Sequence, residues 1–298
     1  MSAPARTDTG LAASERPRGG LPDARAQASS ERPRGGLPDA RAQASTEQSP
    51  QRGCDSAATP AGTEKSAIEL LTAGELEIAG RLVEASNATL YCTVTHDGQE
   101  AACVYKPVAG ERPLWDFPHG TLAGRELAAY AVSRASGWNI VPPTVFRDGP
   151  FGPGMCQLWI DPDPSVDLIK LARSGSHDGL RAMAVFDAVI NNADRKIGHL
   201  LPTPGGHLYG CDHGVCFAEE YKLRTVLWQW RGDPLTADAV RALERLGAEL
   251  DGELGTTLGQ WLTEGEIRAT RIRTEILLRH RVHPYPPEDW PAVPWPPI

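Results

Sequence analysis

Long hydrophobic runs are missing from this 298-residue sequence, although 41% of its residues are apolar. A membrane-spanning helix needs ~20 consecutive apolar residues, and the sequence contains no stretch of that length. The amino-terminal part, to about Thr63, also lacks the apolar segment of a secretory signal peptide. We therefore expect a cytoplasmic protein without a transmembrane segment.

Cysteine pairs and dense basic runs are absent as well. The six cysteines form no C-x-x-C pair, and most of them lie in apolar, strand-like segments. They are Cys54, Cys92, Cys103, Cys156, Cys211 and Cys216. This distribution favours reduced core thiols over a disulfide framework or a zinc site. The formal net charge of -8, without a dense basic run, argues against nucleic acid as the main partner.

A tandem duplication occupies part of the amino-terminal region. The segment "SERPRGGLPDARAQAS" at 14–29 recurs letter for letter at 30–45. Each copy contains one leucine, and so little apolar surface cannot offset the entropy lost on ordering the backbone. A solenoid would need more copies and an apolar stripe. We therefore predict that residues 1–65 form a disordered extension.

Residues 66–160 are predicted to form a strand-rich amino-terminal lobe of a domain that spans 66–281. Apolar and polar residues alternate over 90–107 on both sides of an Asp-Gly turn, which is typical of a β-hairpin. Lys106 ends an otherwise apolar row on the return strand. Two more short strands are predicted around the glycine-rich turn that follows Asp148.

Helices are predicted mainly in a second lobe, at 161–281. Helical periodicity marks 178–191 and two amphipathic stretches after Pro234, and one further helix is predicted to end at Gly137. Strands gathered in the first half and helices in the second indicate an α+β fold with two lobes and a cleft between them, where a ligand would bind. A tail with seven prolines and two tryptophans, at 282–298, follows.

Two polar clusters carry the candidate chemistry. "NNADRK" and "CDHG" are separated by a Pro/Gly turn, which places Asp194 and Asp212 at either end of a predicted hairpin. Carboxylates suit Mg²⁺, and one of them could accept a proton from an attacking hydroxyl. Phosphoryl transfer also needs a cation on the phosphates, which Lys106 could supply from the opposite lobe, held by Glu126.

An ordered series of motifs resembles the catalytic fold of phosphatidylinositol 3-/4-kinases. The series consists of "VYKP", "GRELAAYAVS", "VPPT", "CQLWI", "FDAVINNADR" and "CDHGVCF", and it extends from about Leu70 to Trp230. The sequence is most similar to type II phosphatidylinositol 4-kinases and to an uncharacterised actinobacterial branch of that superfamily. The resemblance implies a two-lobed, protein-kinase-like (lipid-kinase-like) fold that uses ATP with Mg²⁺ or Mn²⁺.

The same resemblance implies roles for individual residues. Lys106 matches the nucleotide lysine and Glu126 its partner, Asp194 matches the catalytic aspartate, and Asp212 matches the metal-binding aspartate of an Asp-x-Gly motif. Further implied site residues are Asn192 and Arg195 beside the catalytic aspartate, Ser86 and Asn87 at the phosphates, and Gln157, Leu158, Trp159 and Ile160 at the hinge beside adenine.

One position departs from the family pattern. The family places a metal-binding asparagine five residues after the catalytic aspartate, whereas this sequence has His199. A neutral imidazole ligates Mg²⁺ poorly and prefers softer divalent ions. This substitution allows three interpretations. His199 coordinates Mn²⁺, or Asp212 holds the metal together with water, or catalysis is weak or lost.

Three functions are therefore compatible with the sequence. The first is an ATP-dependent phosphotransferase that acts on a hydroxyl of a lipid head group, of an inositol or sugar, or of a protein serine. The second is a nucleotide-binding pseudokinase that regulates a partner, and it is motivated by His199. The third is a scaffold without a nucleotide site. Fold alone does not decide the acceptor.

Overall fold

The computed structural model describes residues 60–82 and 87–298. The duplicated segment, which the sequence predicted to be disordered, and Ser86 lie outside the described residues. Helix α1 (Pro60–Ala73) begins before residue 66, where the sequence predicted the folded domain to begin. Its Glu64 accepts a hydrogen bond of 2.6 Å from the hydroxyl of Tyr130 and forms an ion pair with Arg134. These contacts tie α1 to a helix of the predicted domain.

The amino-terminal lobe is a five-stranded antiparallel sheet. Its strands are β1 (Glu75–Arg81), β2 (Leu90–His96), β3 (Gln99–Pro107), β4 (Thr144–Gly149) and β5 (Gly152–Leu158), in the spatial order β1-β2-β3-β5-β4. The predicted hairpin is confirmed as β2 and β3, joined by Asp97 and Gly98, both with positive φ. Positive φ at both turn residues matches the right-handed twist of the flanking strands.

One face of this sheet packs against α1. The buried residues on this side are Leu70, Leu71, Leu90, Cys92, Val94, Cys103, Tyr105, Val145 and Cys156. Successive side chains of a strand point to opposite faces, so Lys106 projects from the other face, beside the buried Tyr105. The five cysteines that the structure describes are all free, as predicted from the sequence.

Helix α2 (Leu122–Ser136) connects the two lobes, and the second lobe is built mainly from helices. These are α3 (Leu168–Ala172), α4 (Asp178–Ile190), α5 (Ala237–Leu250), α6 (Glu253–Leu258) and α7 (Glu264–His280). A hairpin of β6 (Leu200–Pro202) and β7 (Leu208–Gly210) follows α4. Gly137 ends α2 and Asn191 ends α4, both in the left-handed conformation. The α+β class, with a strand-rich first lobe and a helical second lobe, is confirmed.

The carboxy-terminal tail, residues 282–298, follows an irregular path along the second lobe. His283 is buried, and its backbone amide donates to the carbonyl of Asp233 over 2.9 Å. Further along, the carbonyl of Ala292 accepts from the backbone amide of Thr225 at 3.0 Å. Among the described residues, none of the helices has the length and apolar character needed to cross a membrane.

Candidate active site

Lys106 on β3 and Glu126 on α2 form an ion pair. The Nζ atom of Lys106 lies 2.8 Å from Oε1 of Glu126 and 2.9 Å from Oδ1 of Asp212. Burial disfavours the charged ammonium, but the Asp212 and Glu126 carboxylates outweigh this effect and raise the pKa of Lys106. A cation is therefore fixed between the two lobes. The structure thus brings together three of the residues that the sequence singled out.

Glu126 also contacts the Asp-His-Gly motif through its second oxygen. Its Oε2 atom accepts a hydrogen bond of 2.9 Å from the backbone amide of His213. The side chain of Glu126 is almost fully buried, so both bonds are shielded from water. One carboxylate therefore connects the sheet, helix α2 and the segment that carries Asp212.

Asp212 is held in an uncommon backbone conformation, with a φ of 62°. A non-glycine residue in the left-handed region is uncommon, and such strain often occurs at functional sites. Lys106 is the main cause that keeps the pKa of Asp212 far below its ordinary value. The side chain is 53% exposed, so an anionic carboxylate is accessible to a ligand.

His199 stands beside Asp212, at the end of a 3₁₀ turn (Ile197–His199). Its Nε2 atom lies 3.5 Å from Oδ2 of Asp212, and its Nδ1 atom accepts from the backbone amide of Lys196 at 3.4 Å. Burial lowers the pKa of His199 to about 4, which makes the ring neutral at pH 7. The acceptor at Nδ1 assigns the ring proton to Nε2, facing the carboxylate.

Asp194 lies in the loop between α4 and the 3₁₀ turn, flanked by two cations. The Nζ atom of Lys196 is 3.2 Å from Oδ2, and Nη2 of Arg224 is 3.3 Å from Oδ1. Burial raises the pKa of Asp194; both cations oppose this effect, and Asp212 adds to it. A carboxylate with a raised pKa is a better proton acceptor than an ordinary one.

Asn192 and Arg195 are buried and bind the loop itself. Asn192 donates to Oδ1 of Asp187 at 2.9 Å and accepts from the amide of Asp194 at 3.0 Å. Arg195 forms a two-pronged ion pair with Asp187, and its Nη2 lies 2.6 Å from Nε2 of His213. Both side chains therefore stabilise the loop that carries Asp194 from its buried side, and they do not reach the cleft.

The predicted hinge, residues 157–160, runs from the end of β5 toward the second lobe. The side chain of Gln157 is buried and donates to Thr144 at 2.9 Å. The backbone amides of Leu158 and Trp159 donate to the carbonyls of Pro143 and Ala102, at 2.9 and 3.0 Å. An adenine ring could therefore use carbonyl oxygens or side chains at these two residues, but not their amides.

Two further predicted site residues, Ile160 and Asn87, belong to the part of the chain that the structure describes. Ile160 directly follows the hinge residues and is partly buried. Oδ1 of Asn87, which the sequence predicted to contact the phosphates, accepts from the backbone amide of Arg112 over 2.8 Å. Asn87 thereby fixes the loop that follows β3, whereas Ser86 lies outside the described residues.

Several residues of the site were not found from the sequence. Lys196 lies in the quoted cluster "NNADRK", two positions after Asp194, so its charge was a usable signal. Arg224 lies 30 positions from Asp194, and no local pattern connects the two. His213 was visible only as the middle residue of the Asp-His-Gly motif, and its contact with Arg195 depends on the folded chain.

Comparison with known proteins identifies a close relative and distant structural likenesses. No family model matches the chain. Protein Rv2133c of Mycobacterium tuberculosis (strain ATCC 25618 / H37Rv) is 44% identical over 277 residues, which covers 82% of this chain and 99% of that protein.

Three solved structures resemble the chain at low identity. The Golgi casein kinase with Mn/ADP bound gives a TM-score of 0.49 at 14% identity, over 74% of this chain and 76% of that chain. Hydra Fam20 with sugar gives 0.47 at 13% identity, over 72% and 87%. The Helicobacter pylori proinflammatory kinase CtkA gives 0.39 at 12% identity, over 71% and 94%. The pairing of a β3 lysine with a helix glutamate is a feature of the chain's own geometry.

Proposed function

This chain belongs to the family of Protein Rv2133c, and we propose that it is an ATP-dependent phosphotransferase that transfers the γ-phosphoryl group to a hydroxyl. The observation that carries the proposal is the cluster in which Lys106 meets Glu126 and Asp212 within 2.9 Å. A strand lysine paired with a helix glutamate, facing an Asp-x-Gly aspartate, is the arrangement that protein kinases use.

Lys106 would bind the α- and β-phosphates of ATP. Its contact with Asp212 at 2.9 Å would be exchanged for a phosphate oxygen, because the ammonium then faces a larger negative charge. Glu126 would keep the ammonium in place during this exchange, since its carboxylate is buried and held from behind by the amide of His213.

The residues around Asp212 fit a divalent cation. The carboxylate is anionic and accessible, and Nε2 of His199, 3.5 Å from it, would become a ligand once the ring proton moved to Nδ1. Among residues 60–82 and 87–298, no cluster of three or more ligating side chains occurs, so water and phosphate oxygens would complete the coordination. A bound Mg²⁺ or Mn²⁺ would neutralise charge on the transferred group.

Asp194 would orient the acceptor hydroxyl and receive its proton. The hydroxyl oxygen forms a bond to the γ-phosphorus, the bond from that phosphorus to the β,γ-bridging oxygen breaks, and ADP leaves. The raised pKa of Asp194 suits proton transfer, and Lys196 and Arg224 set the direction of its two oxygens. Asn192 and Arg195 act here as positioning residues.

We assign the activity to the domain at 66–281, with ATP and Mg²⁺ or Mn²⁺, and to the cytoplasm. The five described cysteines are free, and all except Cys211 are buried, which fits a reducing compartment. The sequence resemblance supports phosphatidylinositol as the first acceptor to test, followed by inositol or a sugar and by protein serine.

The test is phosphoryl transfer from labelled ATP by the full chain, with Mg²⁺ or Mn²⁺ and one acceptor of each class. Asp194→Asn should lower turnover about 10²- to 10⁴-fold and leave nucleotide affinity unchanged. Equal turnover of wild type and Asp194→Asn would contradict the mechanism.

The alternative is a nucleotide-binding pseudokinase with a regulatory role, and the observation that favours it is His199 at the position of the family's metal-binding asparagine. Metal-dependent ATP binding without transfer to any acceptor would support this alternative. A chain that does not bind ATP at all would support the scaffold.

A further inference from the structure

The carboxy-terminal tail binds both segments that carry the groups around Asp194. The carbonyl of Ala292 accepts from the backbone amide of Thr225 at 3.0 Å and from Nε1 of Trp228 at 2.7 Å. The carbonyl of Pro297 accepts from the amide of Ile197 at 2.9 Å. The first contact is adjacent to Arg224 in the chain, and the last is three positions after Asp194. The tail is therefore part of the wall behind this loop.

Arg224 connects the tail with the loop. Its backbone amide donates to the carbonyl of Asn192 at 2.9 Å, and its Nε donates to the carbonyl of Ala193 at 2.7 Å. Its Nη2 donates to Oδ1 of Asp194 at 3.3 Å. On its other side, the guanidinium carbon lies 5.9 Å from the ring centroid of Trp290. A guanidinium over an indole face is attracted by the ring, so Trp290 limits where Arg224 can point.

Trp290 also contacts the opposite side of the same region. Lys222 lies 5.4 Å from its ring centroid, and Trp115, in the loop between β3 and α2, lies 6.4 Å from it. Lys222 in turn forms an ion pair of 3.2 Å with Asp116. Residues from both lobes therefore contact Trp290. Its side chain has a defined position, although it belongs to the carboxy-terminal tail.

We propose that Trp290 is a positioning residue for phosphoryl transfer, which acts through Arg224 on the Asp194 carboxylate. The inference rests on the proposed function. Asp194 has two cationic neighbours, and Lys196 binds the oxygen that Arg224 does not. Without Trp290, Arg224 keeps its Nε bond of 2.7 Å to Ala193, but its Nη2 atom can swing away from the carboxylate, which then turns toward Lys196 and away from the acceptor hydroxyl. None of these groups contacts Lys106, so the nucleotide site is not affected.

The experiment compares three variants of the full chain. Trp290→Ala should lower kcat roughly 10- to 100-fold, as expected when a reacting group is misplaced by about 1 Å, with the KM for ATP within about twofold of wild type. Trp290→Phe keeps an aromatic face and should restore most of kcat. Trp295→Ala is the matched control: the same residue type in the same tail, but 88% exposed. It should behave like wild type.

A purely structural role predicts a different pattern. It would lower the melting temperature and weaken ATP binding along with kcat, and Phe would rescue no better than Ala. That pattern would overturn the inference, as would a Trp290→Ala variant with wild-type kcat.

Hydrogen exchange provides a measurement that does not depend on activity. In Trp290→Ala, the amides of 194–199 should exchange faster than in wild type and Trp295→Ala, whereas those of β2 and β3 should be unchanged. Unaltered exchange at 194–199 would overturn the inference even if the enzyme is active. If wild type transfers phosphate to no acceptor, the proposed function fails, and faster exchange would still establish that Trp290 positions the Asp194 loop.

Discussion

Glu126 and His213 are joined by a hydrogen bond of 2.9 Å from the backbone amide to Oε2, while Oε1 of the same carboxylate binds Lys106 at 2.8 Å. Helix α2 is therefore coupled to the cation of β3 and to the Asp-His-Gly motif by one side chain. A movement of α2 breaks both bonds together, so the lysine and the neighbouring Asp212 are set by the position of this helix.

Glu126→Gln should weaken ATP binding roughly tenfold, because a neutral amide holds Lys106 less firmly than a carboxylate does. Lys106 would then rely on Asp212, which is the group required for the metal. Isothermal titration with ATP and Mg²⁺ or Mn²⁺ measures the change. Glu244→Gln, on the exposed side of α5, is the control. Equal affinity in the three proteins would remove Glu126 from the nucleotide site.

His199→Asn should change the metal preference. If the imidazole binds the metal, wild type should be more active with Mn²⁺ than with Mg²⁺, and asparagine should shift the preference toward Mg²⁺ because it supplies an oxygen ligand. The measurement is the ratio of the two rates in wild type, His199→Asn and the control His207→Asn, whose side chain is exposed. The same ratio in all three proteins would make His199 a packing residue.

His283 should make stability depend on pH. Burial, aided by Arg181 at 3.2 Å, lowers the pKa of its imidazole from 6.5 to about 4. Between pH 6.5 and pH 4, the His283 side chain is therefore protonated in the unfolded chain but neutral in the folded chain. Stability should fall as pH falls through this range, by up to about 3 kcal/mol in total.

Urea unfolding at pH 7.5 and pH 5 tests this dependence. His283→Gln should show a smaller loss of stability between the two pH values than wild type, because glutamine does not titrate. His280→Gln removes an exposed histidine and should leave the loss as it is in wild type. An identical pH dependence in all three proteins would contradict the prediction.

Two truncations should differ in stability. Removal of residues 1–59 should leave the melting temperature unchanged, because the duplicated segment has too few apolar residues to pack. Removal of 1–65 also deletes Glu64, which binds Tyr130 and Arg134, and should cost about 1–2 kcal/mol. Thermal unfolding measures both, and Glu64→Gln in the full chain should reproduce part of the second loss. A large drop with the first truncation would show that the extension packs.

The elements with strong local patterns were predictable from the sequence. Period-two alternation and the Asp-Gly turn predicted the β2–β3 hairpin. Gly137 marked the end of α2, where its φ of 76° is easily adopted only by a residue without a side chain. The beginning of α1 was missed because it was assigned to the extension. Strand β1 and the short helices α3 and α6 were also missed. The alternation in β1 is limited to Leu76 and Ile78, and α3 and α6, with 5 and 6 residues, are too short to show a helical period.

The contacts of the candidate site were only partly predictable. The pairing of Lys106 with Glu126 was anticipated from motifs that lie 20 positions apart. The full burial of Arg195 was not, since arginine is seldom buried without a partner, and its partner Asp187 had not been singled out. The contacts of Trp290 with Arg224 and Trp115 join three distant segments, and no sequence period encodes them.

The left-handed backbone at Asp212 restricts how this site can degenerate during evolution. Glycine, asparagine and aspartate occupy that region far more readily than other residues, which lose about 1–2 kcal/mol there. A relative that gave up catalysis would be expected to keep asparagine or glycine at this position. An alanine or a branched residue in its place would indicate that the whole turn has been rebuilt, so the residue type in each relative distinguishes a silenced site from a remodelled one.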